Sequence, residues 1–362
     1  GPTIPTQWEV LAALRDWGFK VNDLSRRVCT LDEIVAYHAD LAERRDDLGY
    51  EIDGVVIKVN DIGIRDSLGE TSHHPRWAFA FKFPARKEIT RIEKIAASVG
   101  RTGVVTPVAL MLPVEIGGVT VSRATLHNRE EVERKDVREG DRVRIQRAGD
   151  VIPQVLERIE EKGRRRGPKF RMPETCPSCG TRLVERGPFT VCPNAFECPA
   201  QLAGRIVHYG SRQALDIEGL GGETAKLLVS EGLVRQLGDL YDVEAERLVE
   251  LPGFAEKSAG ALVDAIAASS RPELARFLYG LGVPEVGVTV ARDLARHFRS
   301  FGAVLDAAED DLQEVPGIGP RMAEQIRSFL DTTDNREALE TLLERVEVEE
   351  LEPEPGGDAL AG

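Results

Sequence analysis

Four cysteines form the most specific cluster of potential metal ligands in this sequence. Cys176 and Cys179 lie in CPSCG, Cys192 follows after 12 intervening residues, and Cys198 after five more. Two such hooks, turned by Pro and Gly, can place four thiolates in a tetrahedron around Zn²⁺, so we predict a structural zinc site with no position open for water. Disulfides, a redox Cys-x-x-Cys pair and a rubredoxin-like iron site are the alternative interpretations. Cys29 lies far from this cluster and is expected in a hydrophobic core.

Two lysines stand near the ends of short apolar runs. Lys58 is in EIDGVVIKVN, and Lys82, 24 residues on, is in AFKFPA. Both runs are rich in β-branched or aromatic residues and predict strands. A lysine that faces a cleft suits a polyphosphate, and Asp53, beside Gly54, could help to hold a divalent metal ion. Taken singly, each lysine is more often a solvated surface residue than a ligand for phosphate.

An internal repeat runs through the last third of the sequence. Gly221, Ala255, Gly287 and Gly319 are 34, 32 and 32 residues apart, and each is followed four residues later by alanine. A helix that starts after a glycine-containing hairpin presents free backbone N–H groups to a phosphate. Four copies in register therefore favour helix-hairpin-helix DNA binding over a plain helical bundle with glycine caps. Ala255 makes the second copy the weakest.

The elements around these residues change character along the chain. Helical spacing near the start predicts helices around a short strand at Lys20 to Leu24. From about Ile89 to Ile159, strands punctuated by glycine predict a small β-barrel, with one helical turn near Asn128 to Arg134. A basic linker, the cysteine segment, a helical region over 200–347 and an acidic tail follow.

Charge is unevenly distributed. The net charge is -14, but residues 331–362 alone hold 11 acidic against two basic side chains, and residues 142–171 hold ten basic against four acidic. Local basic patches can bind DNA in such a chain, although a charge run is as often a solvated face. The start lacks the features of a signal peptide, so we expect a cytoplasmic protein without membrane contact.

Several motifs resemble, in order, those of the NAD-dependent bacterial-type DNA ligases. They are EIDGVVIKVN, HPRWAFAFKFPA, VGRTGVVTPVA, ATLHN and RAGDVIPQV, followed by the four cysteines and the four repeats. The resemblance implies a multidomain α+β fold. Its parts are the end of a nucleotidyltransferase (adenylation) domain at 1–85, an OB-fold barrel at 86–171, a four-cysteine zinc finger at 172–200, an all-α helix-hairpin-helix domain at 201–350 and an acidic tail at 351–362.

Members of this family seal nicks between a 3'-hydroxyl and a 5'-phosphate in replication and repair. They move AMP from NAD to a lysine, then to the 5'-phosphate. By resemblance, Lys58, Lys82 and Arg45 would contact NAD or AMP, and Asp53 would assist with Mg²⁺ or Mn²⁺. The residues expected to face nicked double-stranded DNA are Arg101, Thr102, Arg147, Val151, Ile152, Gly221, Gly253, Gly287 and Gly319.

The sequence also departs from the family pattern. The family nucleophile lies in a Lys-x-Asp-Gly motif, and the nearest match here, Glu51 to Gly54, has glutamate in its place. The first residue is Gly, and we expect a fragment without the amino-terminal helical domain and the carboxy-terminal BRCT domain. Such a fragment would be unable to self-adenylate, and we expect it to be a monomer.

Two other functions are compatible with parts of the sequence. A non-enzymatic DNA-binding module would explain the cysteines and the repeats, but not the paired strand lysines. A repair nuclease with the same repeats would need metal-binding carboxylates in its core, and the sequence shows no such cluster before its acidic tail.

Overall fold

The structure is a computed structural model of the chain. It describes residues 4–71, 74–147, 153–161, 163, 165–195 and 197–351, with the side chain of Arg147 left out. The first of two compact units comprises 1–96, 108–127 and 131–170, and the second comprises 97–107, 128–130 and 171–362. In the part of the chain that is described, no helix combines the length and the apolar character needed to cross a membrane.

The first unit begins with helices around a two-stranded ribbon. The elements are α1 (Gln7–Asp16), α2 (Leu31–Arg44), β1 (Gly54–Lys58), α3 (Ile62–Leu68) and β2 (Ala78–Lys82). Thr30 caps α2 in a reciprocal capping box with Glu33, which sets where the helix starts. The strand predicted at Lys20 to Leu24 is wrong, because this segment finds no partner strand to complete a ladder.

Five strands form the predicted barrel. They are β3 (Arg86–Val99), β4 (Val104–Ile116), β5 (Val119–Thr125), β6 (Arg142–Arg147) and β7 (Gln154–Ile159), in the order β3-β6-β7-β5-β4, and a β3–β4 pairing closes the circle. Burial alternates along the first part of β4, as expected for a strand with one inward face. Ile92, Met111, Ile145 and Val155 are among the core residues. The short helix predicted near Asn128 is α4 (Arg129–Lys135).

The second unit joins the cysteine segment to a helical domain. The hairpin β8 (Val184–Arg186) and β9 (Phe189–Val191) pairs with the first residues of β4. The α-helices that follow are α5 (Pro199–Tyr209), α6 (Gly222–Ser230), α7 (Ala245–Val249), α8 (Glu256–Ala268), α9 (Leu274–Gly280), α10 (Val288–Phe298), α11 (Phe301–Asp306), α12 (Glu309–Gln313), α13 (Pro320–Asp331) and α14 (Thr333–Leu343). A 3₁₀ helix, Leu237–Asp242, precedes α7.

The sequence repeat is a repeated helix pair. The pairs α5/α6, α7/α8, α9/α10 and α12/α13 each pack together across a hairpin. In each pair, the last hairpin residue is the N-cap of the second helix, and the alanine four residues after it is fully buried. The backbone N–H of this alanine donates to the carbonyl of the N-cap residue. These small side chains are Ala225, Ala259, Ala291 and Ala323. The repeated alanine is thus explained by the single core that all four pairs share.

Candidate functional sites

The four cysteines converge on one point. Their sulfur atoms all lie within 4.8 Å of one another, with Cys176 and Cys198 3.9 Å apart and Cys179 and Cys192 3.6 Å apart. Thiolates about 2.3 Å from a tetrahedral zinc ion are about 3.8 Å from each other, so the cluster has the size that zinc needs. Three of the four are buried. The donor set fits a closed structural zinc site, whereas Cys29 is exposed, so its predicted core position is wrong.

The cysteine cluster is built into the turn that carries Arg101. The Cys192 backbone N–H donates to the Gly103 carbonyl at 2.8 Å, and Gly103 has a left-handed φ of +80°. A Cβ at Gly103 would lie 2.5 Å from the Cys192 carbonyl oxygen, so only glycine fits there. The buried Gln201 amide donates to the same carbonyl at 3.2 Å. A zinc ion would therefore also fix the Arg101–Gly103 turn.

The ribbon of β1 and β2 places both predicted lysines on one face. Lys82 pairs with Gly54, and Lys58 pairs with Ala78 at the far end. Directly paired residues point to the same side of a sheet, but four residues of strand separate the lysines by about 13 Å. Both lie on the face that carries Val56, which is 63% exposed, so the two lysines flank an open surface.

Asp53 holds Lys82 at the entrance of the ribbon. The Lys82 ammonium lies 2.6 Å from a carboxylate oxygen of Asp53, and both side chains are more than half exposed. Gly54 allows the strands to meet here, because a Cβ at that position would lie 2.6 Å from the Lys82 Cα atom. Behind β2, the His38 ring of α2 stacks on Phe81 at 3.8 Å. The strand that carries Lys82 is therefore packed against α2.

A cavity of about 640 Å³ opens beside this ion pair. Arg45, Asp53 and Lys82 line it. Arg86 lines it too and forms an ion pair with Asp46. Sequence reasoning missed Arg86, although its place four residues after Lys82 at the start of a strand was a usable clue. With Glu51 also in the lining, the site combines three basic groups with two carboxylates, and such groups suit a phosphate and a metal ion.

The repeat glycines leave their surroundings open. Gly221, Gly287 and Gly319 have negative φ angles in the β region and precede α6, α10 and α13. An added Cβ would have no neighbour within 4 Å at any of them. Neither backbone strain nor internal packing requires glycine at these positions. A bare backbone there is suited to the close approach of an external group such as a phosphate.

The other predicted DNA-facing residues are placed differently. Gly253 is a left-handed turn residue, two positions before the helix cap Ala255, so it is not the counterpart of the other three glycines. Arg147 ends β6, with a side chain that is not described. Val151 and Ile152 lie outside the described residues. Thr102 is exposed, whereas Arg101 is half-buried.

Family models match three of these parts: the ribbon, the barrel and the helical hairpins. The adenylation domain of NAD-dependent DNA ligases matches residues 2–86, and the OB-fold domain of the same ligases matches residues 89–167. A tandem helix-hairpin-helix model matches 211–268, and a helix-hairpin-helix motif matches 276–339. The chain belongs to the NAD-dependent DNA ligase family.

Curated DNA ligases are similar over almost the whole chain. The DNA ligase of Haloquadratum walsbyi is 48% identical over 94% of this chain and 45% of its own length. Those of Salinibacter ruber and Haloarcula marismortui are 47% and 48% identical, over 94% and 96% of this chain and 50% of their own lengths. The chain thus spans about half the length of the ligases that it matches.

The family match agrees with the local geometry. The adenylation model covers the ribbon with Asp53, Lys58 and Lys82, and the OB-fold model covers the barrel from β3 to β7. The two helix-hairpin-helix models cover all four hairpins between them. The predicted family and fold class are therefore confirmed, and the cysteine cluster is compatible with the predicted zinc.

Proposed function

We propose that this chain forms part of a DNA ligase that uses NAD to seal nicks in duplex DNA, joining a 3'-hydroxyl to a 5'-phosphate in replication and repair. The observation that carries the proposal is the cavity lined by Arg45, Lys82 and Asp53 within the segment that matches the adenylation domain. A non-enzymatic DNA-binding protein would have no use for this charged cavity.

The ribbon residues have assigned roles in this proposal. Lys82 and Lys58 bind the nucleotide phosphates from opposite ends of one face of the ribbon, and their charges offset the charge that develops at phosphorus. Arg45 binds the nucleotide at the cavity wall. Asp53 orients Lys82 and is positioned to share a phosphate-bound Mg²⁺ or Mn²⁺ ion, while NAD supplies the adenylate when it is bound.

DNA binding is assigned to the remaining parts. Arg101 and Thr102 on the zinc-supported turn, Arg147 at the end of β6, and Val151 with Ile152 contact the duplex around the nick. The hairpins at Gly221, Gly287 and Gly319 bind backbone phosphates through helix N-termini, and Gly253 shapes the second hairpin. The domains follow the boundaries 1–85, 86–171, 172–200 and 201–350, with 351–362 as a tail.

The testing experiment is a complementation. The chain is mixed with a separately expressed amino-terminal segment of a matched relative that carries the Lys-x-Asp-Gly motif, with NAD and Mg²⁺, and sealing of a nicked duplex is measured. Sealing should require NAD, fail with ATP, and fall at least 100-fold in Lys82→Ala but not in the control Lys20→Ala, an exposed lysine outside the cavity. Association of the two pieces without sealing, while nicked DNA still binds, would favour the DNA-binding module.

A further inference from the structure

The β8–β9 hairpin of the cysteine segment has one face that contacts the rest of the second unit. Glu185 of β8 lies directly opposite Thr190 of β9, and directly paired residues share a face of the ladder. Thr190 is buried, and Glu185 forms an ion pair with Arg129. Leu183, two residues before Glu185, packs against the cysteines. This face of the hairpin is therefore occupied by contacts within the unit.

The opposite face is open to solvent near the turn of the hairpin. Arg186 lies directly opposite Phe189, and both are exposed, the phenylalanine at 45%. Val184, two residues before Arg186, is also exposed, and so is Arg182, two residues before Val184. Because side chains alternate along an extended strand, all four share this face. Gly187, with a left-handed φ of +58°, turns the chain between the two strands.

The two arginines of this face are not neutralised by the hairpin. Within the described parts of the chain, no carboxylate forms an ion pair with Arg182 or Arg186. From residue 175 to residue 191 the only acidic side chain is Glu185, which belongs to the opposite face. Four residues of strand separate the arginines by about 13 Å, so they can reach different phosphates of one polyanion. Exposed Val184 and Phe189 add an apolar surface beside them.

The β8–β9 hairpin also adjoins the turn to which a DNA contact is assigned above. β9 pairs with the first two residues of β4, and these directly follow the turn Arg101–Gly103. Cys192, the residue after β9, donates from its backbone N–H to the Gly103 carbonyl at 2.8 Å. A duplex that contacts the turn therefore has this hairpin as its neighbour.

We propose that the face formed by Arg182, Val184, Arg186 and Phe189 is a further contact surface for duplex DNA. The two guanidinium groups bind backbone phosphates, and the phenylalanine ring and the valine lie against the sugars. Such a contact positions the duplex without reading its base sequence. The choice of DNA as the polyanion rests on the proposed function, whereas the exposed basic and apolar face does not.

The test measures binding of a labelled nicked duplex to the full chain by fluorescence anisotropy at several salt concentrations. The double variant Arg182→Gln/Arg186→Gln should bind about tenfold more weakly, and the slope of log Kd against log salt concentration should fall by about two, because each phosphate contact contributes about 0.9. Arg182→Lys/Arg186→Lys should retain the slope. Arg271→Gln/Arg336→Gln, at two exposed arginines of the same unit that are held in ion pairs, changes the net charge equally and is the control.

Phe189→Ser should lower the affinity without changing the salt slope, because it removes apolar contact and no charge. Zinc content and melting temperature verify that each variant is folded. An unchanged slope in Arg182→Gln/Arg186→Gln, or an equal loss in the control, overturns the proposal.

The outcomes separate this proposal from the proposed function. If the unchanged chain binds DNA and no hairpin variant alters the affinity, this proposal alone is overturned, and a protein becomes the favoured occupant of the face. If the unchanged chain does not bind DNA, the proposal falls together with the other DNA contacts assigned above. None of these measurements depends on sealing, so a failed complementation assay leaves the result interpretable.

Discussion

At the residue scale, the ion pair between Lys82 and Asp53 is expected to matter for function and to contribute little to stability. Both side chains are more than half exposed, and an exposed ion pair contributes little to folding, about 0–1 kcal/mol. The pair nevertheless holds the ammonium at the mouth of the cavity that Arg45 and Arg86 also line. In the proposed function, the role of this ion pair is therefore to position a charge for a phosphate.

We expect Asp53→Asn to reduce sealing at least tenfold in the complementation assay while the free energy of unfolding changes by less than about 1 kcal/mol. The amide keeps the shape but loses the charge that orients Lys82. Urea denaturation and the sealing rate check the two halves of this prediction. Asp23→Asn, which removes another exposed ion pair of the same unit, is the control and should leave both unchanged. A large loss of stability in Asp53→Asn would contradict the assignment.

His208 predicts a pH dependence of stability. Burial, and then the charge of Arg101, lower its pKa below the ordinary 6.5, while its ring bonds the Tyr279 carbonyl at 2.8 Å. The unfolded chain therefore binds a proton more readily than the folded one, so this contribution is complete above pH 6.5 and is lost as the pH falls toward the folded pKa. The free energy of unfolding should therefore decrease below about pH 6.5, and His208→Gln should lose part of this slope in denaturation curves. An unchanged pH dependence in His208→Gln would show that His208 is not its cause.

At the scale of elements, one local geometry recurs four times. Each hairpin has a left-handed residue two positions before the helix cap: Gly219, Gly253, Glu285 or Gly317. The cap itself is extended and open, and the alanine after it is buried. The fold therefore accounts for the residue types at the left-handed turn and at the buried alanine. It does not account for glycine at the cap, which we attribute to the approach of an external group such as a phosphate.

We therefore expect substitutions of the cap glycines to weaken DNA binding without lowering stability. Gly287→Leu and Gly319→Leu should leave the melting temperature nearly unchanged, because an added Cβ has no neighbour within 4 Å at either position. They should weaken binding to nicked DNA about tenfold each, because the side chain blocks the phosphate from the helix N-terminus. Gly260→Leu, also in open space but inside α8, is the control for anisotropy titrations. Equal affinities for all variants would refute phosphate binding by these hairpins.

At the scale of the whole molecule, the candidate zinc centre joins separate segments of the second unit and lies against the turn that carries Arg101. Its cysteines lie on the segment before β8, after β9 and at the start of α5, so a metal ion would join pieces that have little core of their own. Through the hydrogen bond from Cys192 to Gly103, it would also fix the turn that carries Arg101. Loss of the metal should therefore destabilise the Arg101 turn as well as the cysteine segment.

We expect chelation of zinc, or Cys179→Ser, to lower the melting temperature and to weaken nicked-DNA binding at least tenfold. Calorimetry, metal analysis and anisotropy on the full chain measure these effects. Cys29→Ser, a change at the exposed cysteine outside the cluster, should have no effect. Full DNA affinity in metal-free protein would show that the turn does not depend on the centre.

The amino-acid sequence by itself determined the features that depend on residue type and spacing. The Cys-x-x-Cys hooks, the repeat of glycine and alanine, the barrel strands and the ligase family motifs could all be recognised, because local turn chemistry and periodicity produce them. The order of the motifs also let us predict which segment binds which kind of ligand.

Only the tertiary structure decided which distant residues meet. Strand register put Lys58 and Lys82 at opposite ends of one face, added Arg86 to the cavity, and left residues 20–24 without a partner strand. Packing brought Arg101 against Gly282, 181 residues away, and beside Arg205. Such neighbours are set by the three-dimensional path of the chain, and no periodicity within one segment encodes them.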